Sequence, residues 1–365
     1  MQPAYLILEN SAVFEGRAFG RPVPSGGVVG EVVFTTGMTG YLETLTDPSY
    51  YGQIIVQTFP MIGNYGVIRS DFESPNVQPR GYIVREWCEH PSNFRSEGDL
   101  DSLLNEAGIP GLCGVDTRAV TRMIRERGVM NGAITSDPSK VRMDRVKEYV
   151  IKDSVRSVSA PHPEVIPASG GTVYRVVLWD FGAKANIARS LASRGCEVTA
   201  VPSVYTADRI ASLEPDGVML CNGPGDPADN PEIIGEIKKL TETGIPIFGI
   251  CLGHQLLALA AGAKTGRLKY GHRGANQPVR DVKTGSLYIT TQNHGYMVIP
   301  ESIPDGAAEL RYINANDGTC EGMDYRNIPA FSVQFHPEAA AGPLDTGFLF
   351  DRFTGMMEAR GHAQK

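Results

Sequence analysis

Gly249-Ile250-Cys251-Leu252-Gly253 has the form of a nucleophile elbow with a thiol where many enzymes carry a hydroxyl. A nucleophile on a tight strand-to-helix turn protrudes towards substrate, and glycines on either side let the backbone approach closely. The apolar run 246–250 reads as the strand before it and the apolar stretch 252–261 as the helix after it. Backbone N–H groups at the start of that helix point outward, where they stabilise a thiolate and an oxyanion. The plainer reading of a cysteine is a small buried side chain. It is kept for Cys88, Cys113, Cys196, Cys221 and Cys320, which have no such setting.

A thiol needs a base, and the base needs an orienting group. Residues 331–335 read as a strand that ends in His336-Pro337-Glu338. Residues two apart in an extended segment share a face, and Pro337 restricts His336 to extended geometry. Imidazole and carboxylate are therefore expected on one side of the strand end, with Cys251 as nucleophile, His336 as base and Glu338 as orienter. His254 is a rival base, but its place inside the helix carries it away from the elbow tip. Cys251-Leu252-Gly253-His254 has the spacing of half a zinc site; no second pair completes it, so no metal is expected. His90, His162, His272 and His362 have no partner pattern.

Asn222-Gly223-Pro224-Gly225-Asp226-Pro227 follows another predicted strand. Two glycines around a proline make a rigid turn with exposed backbone donors, suited to an oxyanion or a carboxamide. No G-x-x-x-x-G-K-[ST] run occurs, and no G-x-G-x-x-G follows a strand. Chemistry that needs ATP is therefore expected on another chain.

Each of these motifs sits at the carboxyl end of a short apolar strand, where open α/β sheets bind ligands. Strands at 175–179, 197–201, 217–221 and 246–250 alternate with helices at 185–193, 231–243 and 252–261. This rhythm predicts a mostly parallel sheet covered on both faces. Residues 1–150 read as a mixed α/β domain, with strand-like alternation at 28–35 and helical spacing at 116–127. Between them, residues 151–173 are rich in Pro, Gly and Ser and read as an exposed linker, which leaves 174–365 as the second domain.

A chain of 365 residues with 42% apolar and 21% charged residues can form two packed cores. Its net charge of −7 gives no support for nucleic-acid binding. The N-terminus lacks a secretory pattern and no apolar run approaches the ~20 residues that span a bilayer. The six scattered cysteines then read as reduced thiols of a cytoplasmic protein.

Residues 222–227, 249–255 and 333–338 together resemble the three signatures of class I glutamine amidotransferases. In the first half, Glu31-Val32-Val33-Phe34-Thr35-Thr36-Gly37-Met38-Thr39-Gly40-Tyr41 and Thr46-Asp47-Pro48-Ser49-Tyr50 resemble the small subunits of glutamine-hydrolysing carbamoyl-phosphate synthases. So do Met61-Ile62-Gly63-Asn64-Tyr65-Gly66 and Gly114-Val115-Asp116-Thr117-Arg118. The resemblance implies glutamine as substrate, a γ-glutamyl thioester on Cys251, and glutamine contacts at Ser49, Gly223, Gly225, Leu252, Gln255, Asn293, Gly295 and Tyr296. Tyr296 stands where the family often has Phe. Residues 339–344 and Gln277 also depart from the usual pattern, away from the proposed triad.

The resemblance further implies no cofactor on this chain and a large subunit as partner. That subunit would use ATP, Mg and bicarbonate to make carbamoyl phosphate for arginine and pyrimidine synthesis, and residues 1–150 would dock it. Two rivals are a glutaminase serving another synthetase, such as one for anthranilate or GMP, and a catalytically silent regulatory subunit. The N-terminal motifs argue against the first and the intact triad against the second.

Overall fold

The computed structural model describes residues 2–363, with side chains to residue 361. The reading of His362 and the expected domain end at residue 365 fall outside the described residues. The chain forms two compact units, Met1–Lys152 with Lys269–Gly274, and Asp153–Leu268 with Ala275–Lys365.

In the first unit seven strands close into a barrel: β1 (Pro3–Leu8), β2 (Val13–Gly20), β3 (Val28–Thr35), β4 (Gln53–Ile62), β5 (Gly81–Trp87), β6 (Pro110–Cys113) and β7 (Met130–Thr135). Their order around it is β1-β2-β6-β5-β4-β3-β7. Strands β3 to β6 pair in parallel, which requires crossovers, and helices α1 (Tyr41–Thr46) and α2 (Leu100–Glu106) lie in those connections. The segment 28–35 is β3, and its residues 32–34 are buried on both faces, so the apolar run there is continuous. Val32 and Phe34 enter one apolar cluster with Leu6, Ile54 and Ile83, while Val33 enters another with Leu42, Ile55 and Tyr82. Helix α3 (Thr117–Arg127) begins where Ala119 N–H donates to the Asp116 carboxylate at 2.9 Å and stops at Gly128, whose φ is +102°. A short helix α4 (Met143–Lys147) follows the barrel.

The second unit is built on a ten-stranded sheet. Its strands are β8 (Glu164–Ile166), β9 (Tyr174–Asp180), β10 (Cys196–Pro202), β11 (Gly217–Leu220), β12 (Ile247–Ile250), β13 (Lys264–Asp281), β14 (Leu287–Ile299), β15 (Ala308–Asn314), β16 (Cys320–Tyr325) and β17 (Ala330–Val333). The order is β14-β13-β15-β16-β17-β12-β11-β9-β10-β8. The middle of it, β10-β9-β11-β12-β17, is parallel. The helices of this unit are α5 (Ser154–Val158), α6 (Ala185–Ala192), α7 (Ala207–Ala211), α8 (Pro231–Thr241), α9 (Leu252–Ala260) and α10 (Phe348–Ala363). Phe248 of β12 and Phe331 of β17 stack with ring centroids 4.3 Å apart, and Phe350 and Phe353 of α10 close over Phe248. This aromatic core anchors the two strands that lead into the elbow and into His336.

The stretch 151–173, read from composition as an exposed linker, contains α5 and the edge strand β8, which pairs antiparallel with β10. Three residues of pairing are too few to leave an alternation pattern, and prolines are tolerated beside an edge. Among the described residues no helix is long and apolar enough to cross a membrane.

Candidate active site

Cys251 links β12 to α9 with φ +53° and ψ −104°, a conformation that L-residues with a side chain rarely adopt. The turn is held by backbone bonds: Cys251 N–H donates to Val333 O at 2.9 Å and Gly253 N–H to Cys221 O at 3.0 Å. The glycines are steric requirements. A Cβ on Gly249 would meet the Gly253 backbone, and one on Gly253 would run into the Leu220 carbonyl. Gly253→Ala is therefore expected to destabilise the protein by about 1–3 kcal/mol. The check is the chemical denaturation midpoint, and an unchanged midpoint would show that the turn relaxes at no cost.

Cys251 is almost wholly buried, and its Sγ lies 3.8 Å from the Asn293 carbonyl oxygen. His336 follows β17 and is placed by its N–H, which donates to Thr291 O at 2.9 Å. Its Nδ1 lies 2.6 Å from Glu338 Oε1, with both side chains fully buried. Pro337 predicts extended geometry from His336 to Glu338. The chain instead turns there, with Ala339 N–H donating back to His336 O at 3.4 Å. The two side chains still meet because the turn brings the carboxylate back to Nδ1 of the ring.

The electrostatics favour a charged pair. Burial disfavours charge on His336 and Lys184 repels it, but Glu338 and Cys251 outweigh both and raise its pKa to about 10. Burial pushes Glu338 up, yet His336 and Lys184 hold it down at about 2. His336 Nε2 makes no hydrogen bond within the usual limits, although Cys251 acts on its charge.

Lys184 is a residue the sequence reading missed. Its Nζ lies 3.5 Å from Glu338 Oε1, and its side chain is buried. Its backbone N–H donates to the Asn222 side-chain oxygen at 3.1 Å, which ties it to the neighbouring loop. The available signal was position: residues 181–184 follow the carboxyl end of β9, at the same end of the strands as the other motifs.

The loop 222–227 leaves β11 beside the elbow. A Cβ on Gly223 would meet the Phe181 carbonyl and Leu252, and Gly225 has φ +90° with Ser154 packed against it. The Ser154 hydroxyl donates to Pro224 O at 3.1 Å. Leu252 opens α9 and is buried. Gln255, one turn on, donates to Tyr296 O at 2.8 Å and to Gln334 Oε1 at 2.9 Å, so its amide braces the strand segment 293–296. Asn293, Gly295 and Tyr296 lie on β14, whose course brings Asn293 to Cys251. Ser49 belongs to the first unit, on a 3-10 turn over Pro48–Tyr50 whose start is capped by Asp47.

His254 faces elsewhere. Its Nδ1 lies 2.7 Å from the Ser332 hydroxyl and its Nε2 3.9 Å from Cys320 Sγ. Complete burial lowers its pKa to about 3, so it stays neutral at physiological pH. Cys221 is also engaged in the interior: it accepts from Phe181 N–H at 3.1 Å, and burial pushes its thiol well above the usual range. None of the six cysteines is in a disulfide.

Comparison with known proteins extends the site geometry to the whole chain. Residues 6–134 match the family described as carbamoyl-phosphate synthase small chain, CPSase domain, and residues 177–356 match glutamine amidotransferase class-I. The chain is 50% identical over 355 residues to the carbamoyl phosphate synthase small chain of Bacillus thuringiensis subsp. konkukian, covering 97% of this chain and 95% of that one. It is 50% identical over 363 residues to the small chain of Oceanobacillus iheyensis, covering 98% and 97%. It is 51% identical over 351 residues to that of Fusobacterium nucleatum subsp. nucleatum, covering 95% and 96%. With identity at this level running through both units, the chain belongs to the carbamoyl-phosphate synthase small chain family.

Proposed function

We propose that Cys251, His336 and Glu338 hydrolyse glutamine to glutamate and ammonia, and that the ammonia passes to a large subunit that makes carbamoyl phosphate from bicarbonate and ATP. The observation that carries this is the buried His336–Glu338 pair at 2.6 Å beside a cysteine on a positive-φ elbow. A His⁺ held by a carboxylate favours the thiolate as its neighbour.

The Cys251 thiolate attacks the carboxamide carbon, and backbone N–H groups near Gly225 and Leu252 stabilise the oxyanion. The tetrahedral adduct collapses as the His336 imidazolium gives its proton to the departing nitrogen, which leaves as ammonia. A γ-glutamyl thioester remains, with His336 neutral. His336 then takes a proton from water as its oxygen adds to the thioester, and the second adduct breaks its C–S bond to expel the Cys251 thiolate, leaving the γ-carboxyl of glutamate, which loses its proton to solvent. Glu338 keeps the ring oriented throughout, and Lys184 helps keep Glu338 ionised. Gly223, Gln255, Asn293, Gly295 and Tyr296 complete the proposed glutamine site of the second unit, and residues 1–150 supply the docking surface for the large subunit. ATP and Mg belong to the partner in this reading.

The direct test is to trap the intermediate. The full chain, mixed with carbon-labelled glutamine and quenched in acid, is expected to carry label on the peptide containing Cys251, released by hydroxylamine. Glutamate release without any such adduct would overturn the thioester route.

A further inference from the structure

Against β14, the strand that passes Cys251, lies a carboxylate with no part in the hydrolysis just described. Glu321 of β16 is completely buried. Its Oε2 accepts from Gln292 Nε2 at 3.0 Å, and its Oε1 accepts from Asn314 Nδ2 and from the Thr319 hydroxyl, each at 3.4 Å. Gln292 is also buried, and its Oε1 lies 3.2 Å from His294 Nε2. His294 Nδ1 in turn lies 2.8 Å from the Tyr296 carbonyl oxygen, the same oxygen that accepts from Gln255. Glu321 Oε1 is 4.0 Å from His294 Nε2.

The donor and acceptor types fix the direction of this chain. A carboxylate only accepts, so the amide nitrogen of Gln292 must face Glu321 and its oxygen is turned to His294. Carbonyl oxygens likewise only accept. Both ring nitrogens of His294 are therefore donors, with Glu321 as the countercharge close by. A fully buried carboxylate is costly to a fold unless its neighbours satisfy it, and an apolar side chain would fill a core position at less cost. Its hydrogen-bonded chain runs along residues 292–296 of β14, the strand that brings Asn293 to the nucleophile.

We propose that Glu321 is a positioning residue for glutamine binding. Acting through Gln292, it sets His294 as a double donor. His294 and Gln255 then clamp the Tyr296 carbonyl from two sides, so that residues 293–296 present a fixed backbone to the substrate. This rests on the glutamine-hydrolysing reading given above.

Two variants of the full chain test it: Glu321→Gln, whose amide can donate as well as accept, and Gln292→Met, which breaks the chain at its middle without adding charge. Glutamate release is measured against glutamine concentration, and melting confirms the fold. Loss of a hydrogen bond to a charged group predicts that KM for glutamine rises about tenfold in each while kcat falls less than about threefold. An unchanged KM in folded variants overturns the proposal, as does a fall in kcat alone. If Glu321→Gln does not fold, Gln292→Met decides by the same measurement, and if neither folds, the cluster is a core element and the proposal is wrong. Wild-type chain that releases no glutamate would sink the hydrolytic reading itself, a result separate from any of these.

Discussion

Replacing Cys251 with serine is expected to lower glutamine-dependent carbamoyl phosphate synthesis by the complex about a thousandfold or more, while ammonia-dependent synthesis is unchanged. Serine is nearly isosteric and fits the same positive-φ turn, so the fold should hold. A hydroxyl is far harder to ionise than a thiol, and the imidazolium at His336 matches a thiolate. Free ammonia bypasses the step that needs the sulfur. Both rates are read in the same assay by exchanging glutamine for an ammonium salt. Retained glutamine-dependent synthesis would sink the assignment of Cys251, and loss of both activities would point to a damaged complex.

The second large effect separates the two histidines of this region. His336→Asn removes the only proton carrier proposed beside Cys251 and is expected to slow thioester turnover by about a hundredfold to ten-thousandfold. His254→Asn changes a neutral ring that meets Ser332 and Cys320, so it should keep most hydrolysis and lose about 1–3 kcal/mol of stability. Glutamate release and denaturation midpoints on both proteins give the comparison. A reversed ranking, with both variants folded, would overturn the choice of base.

The parts of this site that were legible from sequence are those whose chemistry is local. The elbow announces itself because glycines at 249 and 253 are required within five residues of chain, and each proved sterically necessary. His336 and Glu338 are two apart, so a short-range argument could pair them even though the chain turns where extension was expected. The parallel sheet was readable because its strands are continuous apolar runs separated by amphipathic helices.

What escaped depends on contacts between distant positions. Lys184 and Glu338 are separated by more than 150 residues, and nothing around an isolated lysine marks it as buried. Glu321, Gln292 and His294 become a unit only when β14 and β16 are folded beside one another. The closed barrel of the first unit was invisible for a related reason. Strands buried on both faces lose the clean alternation that reveals a sheet, and closure is a property of the pairing of β1 with β7, not of either strand alone.

The elbow has a consequence for how such a chain drifts over generations. A side chain at φ +53° costs on the order of 1–3 kcal/mol, an appreciable share of the roughly 5–15 kcal/mol that separates folded from unfolded domains. Glycine at position 251 would bear almost none of that cost. A lineage released from glutamine chemistry would thus become sturdier through the very substitution that deletes its sulfur. Regaining the cysteine would mean accepting the strain again before any activity returned, so disuse at this position tends to be one-way.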